Sequence, residues 1–162
     1  GLGVDVPFFL EGGAALFTGR GDVLVRRLRP LEAAVVLVKP EQPVPTIAAY
    51  AAFDELGVPT AAPVEQLLTA LAAGNVAASA AHLHNAMTAS SARLVPAISD
   101  ALSLVRATPG ILGAAMAGSG SAVFGICEDD AAAARCAAVA CEAGYWAAAT
   151  RTHVGGCAVE QS

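Results

Sequence analysis

Residues 113–125 read Gly113-Ala-Ala-Met-Ala-Gly118-Ser119-Gly120-Ser121-Ala-Val-Phe-Gly125. Small apolar residues lead into this stretch from Ile111, a Gly/Ser cluster fills its middle, and an alternating apolar run leaves it through Cys127. Two apolar runs joined by a Gly/Ser turn predict a β-hairpin. Glycine in such a turn permits positive φ and close approach of another group. Consecutive turn amides can also form a nest for an anion. The hairpin thus fixes one strand pair and raises a question about phosphate.

Downstream of the hairpin, Glu128-Asp129-Asp130 opens a helix, with acids at the positive end of its dipole. That helix runs to about Ala143, stops at Gly144, and precedes a strand around Trp146–Thr152 and a last short strand at Cys157–Glu160. Upstream, Ala89–Ala107 reads as one long amphipathic helix with Leu94, Ile98, Leu102 and Val105 on a face and Pro96 in its first turns. Asn75–Met87 is a short helical passage, and Pro63 opens a helix through Leu71 that closes near Gly74. Thr46 serves as N-cap for Ile47–Leu56, which stops at Gly57. The continuous apolar run Ala33–Lys39 predicts a buried central strand.

From Ala33 onward the order is βαββαβ with an enlarged first crossover. The expected fold class is therefore α+β, a ferredoxin-like sandwich with an antiparallel sheet. A separate hairpin precedes it, Ala14–Thr18 and Val23–Leu28 around Gly19-Arg20-Gly21-Asp22. Residues 1–10 read as a helix end followed by a short apolar strand.

The 162 residues suit one domain by length, and a composition 56% apolar and 14% charged excludes disorder. A net charge of −5, with Lys39 the one lysine, argues against a nucleic-acid surface. Arg26, Arg27 and Arg29 are too few to form a basic patch. Cys127, Cys136, Cys141 and Cys157 have no Cys-x-x-Cys spacing and make no zinc pattern with His82, His84 and His153. Reduced, mostly buried thiols in a cytosolic protein are expected. No apolar run reaches the ~20 residues of a membrane helix.

Several chemistries fail on spacing. Gly113-x-x-x-x-Gly118-Ser119 lacks the lysine of a P-loop, and Val123 stands at the third glycine of a dinucleotide fingerprint. Neither Ser119 nor Ser121 sits in a Gly-x-Ser-x-Gly elbow. What survives is a turn that offers amides and hydroxyls to an anion, or a plain hairpin loop. Asp5 lies between Val4 and Val6-Pro7-Phe8-Phe9, an apolar setting where a carboxylate is costly unless paired or functional. It is either a helix-end residue bonded to nearby amides or a base and orienter for a hydroxyl or metal. Tyr50 lies one helical turn after Thr46, on the same face, as a stacking platform or as half-buried core. Asn85 and His153 are read as local caps.

Taken in order, Gly-Leu-Gly-Val-Asp5-Val-Pro-Phe-Phe-Leu, Gly12-Gly13-Ala-Ala and Gly19-Arg-Gly-Asp22 resemble the middle of a GHMP-family small-molecule kinase. Within that family, Val38-Lys39-Pro40, Val44-Pro45-Thr46 with Tyr50, His84-Asn85-Ala86-Met87, the Gly113–Phe124 segment and Arg151-Thr152-His153 resemble the branch acting on a cytidine-diphosphate-linked methylerythritol. The resemblance spans essentially the whole chain. It implies transfer of the γ-phosphoryl group of ATP, with Mg²⁺, to the substrate's 2-hydroxyl in non-mevalonate isoprenoid synthesis.

Under that resemblance Asp5 is the catalytic residue that orients or deprotonates the hydroxyl. Tyr50 stacks on the cytosine, Thr46 lies beside it, and Gly118, Ser119 and Gly120 form a glycine loop at the phosphate end. Ala117 stands where many relatives carry serine. Residues 1–30 would be the tail of an N-terminal kinase domain, and 31–162 a C-terminal substrate domain.

Such kinases also carry an upstream lysine and a Gly/Ser-rich ATP loop, and the chain begins at Gly1 without methionine. It is therefore expected to be a fragment with no ATP loop and no metal ligand of its own, which folds but is inactive alone. A non-catalytic ferredoxin-like binding or regulatory module and a different GHMP kinase are the alternatives.

Overall fold

Val36 and Val38 are fully buried on one side of a strand whose other side buries Ala33 and Val35. That two-sided burial places β3 (Ala34–Lys39) at the centre of a sheet, as its unbroken apolar run predicts. The computed structural model describes Phe8 and residues 12–57 and 62–153. Within them β3 is flanked by β5 (Val123–Cys127) and β6 (Trp146–Arg151), with β4 (Ile111–Met116) outside β5, in the order β4-β5-β3-β6. Every pairing is antiparallel. Two split β-α-β units interleave: β3 and β4 lie parallel across β5, and β5 and β6 lie parallel across β3. This is the ferredoxin-like α+β plan.

Among the described residues, five helices occupy the first crossover and one the second. They are α1 (Thr46–Leu56), α2 (Val64–Ala72), α3 (Val76–Ala81), α4 (Thr88–Leu94) and α5 (Ala97–Ala107), with α6 (Asp130–Glu142) between β5 and β6. One core joins Val36 and Val38 to Ile98, Leu102 and Val105 of α5 and to Ala133, Cys136 and Ala140 of α6. Alanine and cysteine on α6 let that helix settle close to the sheet, and each buried Val, Leu or Ile is worth roughly 1.5–3 kcal/mol. A second, smaller cluster on the other sheet face joins Val35 and Ile126 to Ala80 of α3. There the backbones nearly touch: a Cβ on Gly113 would lie 2.1 Å from the Ala80 carbonyl oxygen. Glycine in β4 is what admits α3.

The N-terminal hairpin forms as expected, β1 (Ala14–Thr18) against β2 (Val23–Leu28), and makes a two-stranded sheet of its own. Thr152 ties the start of β3 to the end of β6, donating to the Leu31 carbonyl and accepting from the Ala33 amide. Asp129 caps α6 through a 2.7 Å bond from the Ala132 amide, and Gly57 ends α1 at φ +58.

The structure corrects four expectations. The single long helix over 89–107 is two helices, because Pro96 lacks an N–H and holds Val95 extended at φ −132, ψ 87. Its expected buried face holds at Ile98, Leu102 and Val105, but Leu94 lies on the exposed end of α4. Thr46 is not the N-cap of α1; Pro45 takes that place, and the threonine hydroxyl turns elsewhere. Phe8 is helical rather than extended, and its carbonyl accepts from the Gly12 amide at 2.8 Å. Of the thiols, Cys127 and Cys136 are buried and unpaired as expected, while Cys141 is exposed. The remaining residues of the 1–10 segment, Asp5 among them, and the strand expected at Cys157–Glu160 lie outside the described residues. No helix among the described residues is long and apolar enough to cross a membrane.

Candidate functional site

β4 and β5 are joined by the loop Ala117-Gly118-Ser119-Gly120-Ser121-Ala122. It closes through a 2.9 Å bond from the Ala117 amide to the Ala122 carbonyl and a 3.0 Å bond from the Gly120 amide to the Ala117 carbonyl. Gly118 and Gly120 have φ of +54 and +92, the region that favours glycine. Gly120 is required by space as well. A Cβ there would lie 2.9 Å from Met116 Sδ, 3.2 Å from Val44 and 3.3 Å from Ile98.

Three side chains from the first crossover reach this loop. Asn85, in the turn after α3, donates through Nδ2 to the carbonyls of Met116 and Gly118, both at 2.8 Å. Its Oδ1 accepts from the Met87 amide at 2.9 Å, so only one orientation of the carboxamide satisfies all three partners. Ser91 on α4 is buried and donates to the Ser119 carbonyl at 2.8 Å. Thr46, at the start of α1, holds its hydroxyl 3.3 Å from that of Ser119. The carbonyls of Met116, Ala117, Gly118 and Ser119 are therefore all occupied. By contrast, the amides of Gly118 and Ser119 have no acceptor among the described residues.

The sequence-predicted residues are thus partly united. Thr46, Gly118, Ser119 and Gly120 meet at one place. Tyr50 lies one turn along α1 from Thr46 with its side chain 56% exposed, and Ile47 beside it is 88% exposed. An aromatic ring and an aliphatic side chain stand open next to a loop with free amides and paired hydroxyls. Such a surface can stack a flat ring and hydrogen-bond an anion. Ser121 Oγ, in the same loop, is buried without a partner among the described residues. His82 and His84 join no metal cluster; no group of three or more His, Cys, Asp or Glu side chains converges among the described residues. A surface cleft of about 540 Å³ is lined by Glu65, Thr69, Asn75 and His82 of the α2–α3 region and shares no residue with the loop.

Sequence reasoning missed two contributors. Asn85 bonds locally as expected, to the Met87 amide, but its Nδ2 also reaches 31 and 33 residues along the chain. The signal available was a carboxamide in the short connection His82–Met87 between two helices. Ser91 carries no signal, since Ser-Ser within a helix is ordinary. Burial pushes the thiol pKa of Cys127 and of Cys136 up, and burial followed by the Asp100 charge does the same for Tyr145; all three groups lie away from the loop.

Residues 67–145 match the family described as GHMP kinases C terminal. A 4-diphosphocytidyl-2-C-methyl-D-erythritol kinase of Desulfitobacterium hafniense is 37% identical over 151 residues, 93% of this chain and 52% of the relative. A solved 4-(cytidine 5'-diphospho)-2C-methyl-D-erythritol kinase superposes with a TM-score of 0.76 at 35% identity, covering 96% of this chain and 55% of that one. A homoserine kinase of Cytophaga hutchinsonii shares the fold at a TM-score of 0.71 and 17% identity, over 93% of this chain and 51% of its own. The chain spans about half the length of the curated relatives it matches. Family model, sequence and fold agree that residues 67–145 match the C-terminal domain of the GHMP kinases, and that the chain as a whole is similar to the C-terminal half of such kinases.

Proposed function

We propose that this chain is the acceptor-side part of a cytoplasmic kinase that moves the γ-phosphoryl group of ATP to the 2-hydroxyl of 4-diphosphocytidyl-2-C-methyl-D-erythritol, a step of non-mevalonate isoprenoid synthesis. The observation that carries the reading is the meeting of Thr46 with Ser119 beside an exposed Tyr50. In this reading Tyr50 stacks on the cytosine and Thr46 lies beside the substrate. The Gly118-Ser119-Gly120 loop presents amides and a hydroxyl to the phosphate end. Asp5, outside the described residues, orients or deprotonates the 2-hydroxyl. Residues 1–30 belong to the end of an N-terminal kinase domain and 31–162 to the substrate domain, a division supported by the separate sheet of β1 and β2.

Phosphoryl transfer asks the protein mainly for alignment and for stabilisation of charge on the moving group. The described residues contribute alignment: a ring platform, a hydroxyl pair and an amide loop. They offer no carboxylate cluster for Mg²⁺, so no metal ligand is assigned to them.

The test is ADP release by the full-length protein, with ATP and a panel of acceptor alcohols. Turnover with the cytidine substrate and none with homoserine or mevalonate is expected. Turnover with homoserine alone would overturn the reading and keep only the shared fold.

A further inference from the structure

We infer that Asn85, assisted by Ser91, is a positioning residue that turns the Gly118 and Ser119 amides outward as a phosphate-binding pair. The inference rests on the reading of this loop as the phosphate end of the site, and it concerns residues that touch no substrate themselves.

In a trans peptide the N–H points opposite to the C=O. Asn85 Nδ2 holds the Gly118 carbonyl at 2.8 Å, so the Ser119 N–H of the same peptide is directed away from Asn85. The Gly120 amide holds the Ala117 carbonyl at 3.0 Å, which fixes the Gly118 N–H in the same manner. Ser91 holds the Ser119 carbonyl at 2.8 Å and prevents the next peptide from flipping. Both outward amides lack an acceptor among the described residues, and Gly118 sits at φ +54. Successive amides around a left-handed residue make an anion-binding concavity. The carboxamide suits this task because its two N–H groups span two carbonyls while its oxygen is fastened to the Met87 amide. An aspartate would instead present oxygen to carbonyl oxygen.

The probe is inorganic pyrophosphate, titrated into the 162-residue chain while the amide resonances of Gly118 and Ser119 are followed by ¹H–¹⁵N NMR. Both are expected to move in the wild type. The movement at equal pyrophosphate should fall at least about fivefold in Asn85→Ala and Asn85→Asp, and by about half in Ser91→Ala, with recovery in Ser91→Thr. Resonances of Gly57 and Gly144, left-handed glycines elsewhere, report that each variant is folded. If an Asn85 variant loses those signals, the Ser91 pair carries the test.

Wild-type amides that ignore pyrophosphate would overturn the inference, as would equal movement in wild type and variants. In the full-length protein, Asn85→Ala should lower kcat about 10- to 100-fold with the KM for the cytidine substrate within threefold. A parallel rise in KM with unchanged kcat would also overturn it. Should the amides respond as expected while the full-length protein ignores the cytidine substrate, the substrate reading fails and the positioning role stands.

Discussion

Thr46 and Ser119 stand 73 residues apart in the chain and 3.3 Å apart between their hydroxyl oxygens. Thr46 opens the first helix of the crossover, and Ser119 sits at the tip of the β4–β5 hairpin, so the pair joins the two walls of the candidate site. Both hydroxyls reach the surface, and a surface substitution away from the core usually changes stability by no more than about 0.5 kcal/mol. Ser119→Ala and Thr46→Val should therefore melt within about 2 °C of wild type. In the full-length protein each should lower kcat/KM for the cytidine substrate about 10-fold, and the double variant should lose less than the product of the two. Fully multiplicative losses in steady-state kinetics would show that the hydroxyls act independently.

Tyr50 is 56% exposed on the same helix face as Thr46. Base–aromatic stacking is worth about 1–3 kcal/mol, so Tyr50→Ala should raise KM for the cytidine substrate about 10- to 100-fold with little effect on kcat. Tyr50→Phe keeps the ring and should stay within threefold. If the phenylalanine variant is as impaired as the alanine one, the hydroxyl rather than the ring makes the contact.

Asp5→Asn in the full-length protein should reduce kcat by two or more orders of magnitude, in the range expected of a positioned base, and leave KM for both substrates nearly unchanged. Near-normal turnover would make Asp5 structural.

Gly113 admits α3 against the sheet, with only 2.1 Å between an added Cβ and the Ala80 oxygen. Both partners are backbone, so neither can swing aside. Gly113→Ala should cost about 2–3 kcal/mol in urea unfolding by overpacking. Gly144→Ala, at φ +88 with open space around it, should cost about 1–2 kcal/mol through backbone strain alone. Equal costs at the two sites would mean that α3 can lift away freely.

Cys127 and Cys136 are buried with raised pKa values, whereas Cys141 is exposed. Alkylation of the folded chain at pH 8, read by mass spectrometry, should label Cys141 at least about tenfold faster than either buried thiol. The raised values also set a sign for stability. The unfolded thiols ionise first, so their contribution is complete below about pH 8.5 and declines as pH rises through the folded values. A Tm that climbs between pH 8.5 and 10 would contradict the burial of both groups.

Much of this fold can be read from local pattern. The apolar run before Pro40 announced a central strand, and glycines at 57, 74 and 144 marked chain reversals where the structure has positive φ. The β4–β5 hairpin and its loop were legible for the same reason, since Gly/Ser between apolar runs has few other uses. Pro96 separates pattern from structure: hydrophobic periodicity continues across it, while the missing N–H does not allow one helix. What the sequence could not show is reach. Thr46 looked like a cap because threonine before a helix usually bonds its own backbone, and Asn85 looked local for the same reason. Thr46 and the Nδ2 of Asn85 find partners in a hairpin 31–73 residues away, while Asn85 Oδ1 keeps its local bond to Met87; only the packing of α1, α3 and α4 over the sheet end brings the distant partners within reach.

The occupied carbonyls of Met116 through Ser119 have a thermodynamic consequence for recognition. Ordering a backbone residue costs about 1–2 kcal/mol. Here that cost is met by Asn85, Ser91 and the hairpin itself when the domain folds. A phosphate arriving at the loop would find its donors preorganised and would not have to order them. Binding at this end of the cleft should thus show little of the entropic penalty of loop closure, and selectivity there should come from rigidity rather than from added contacts.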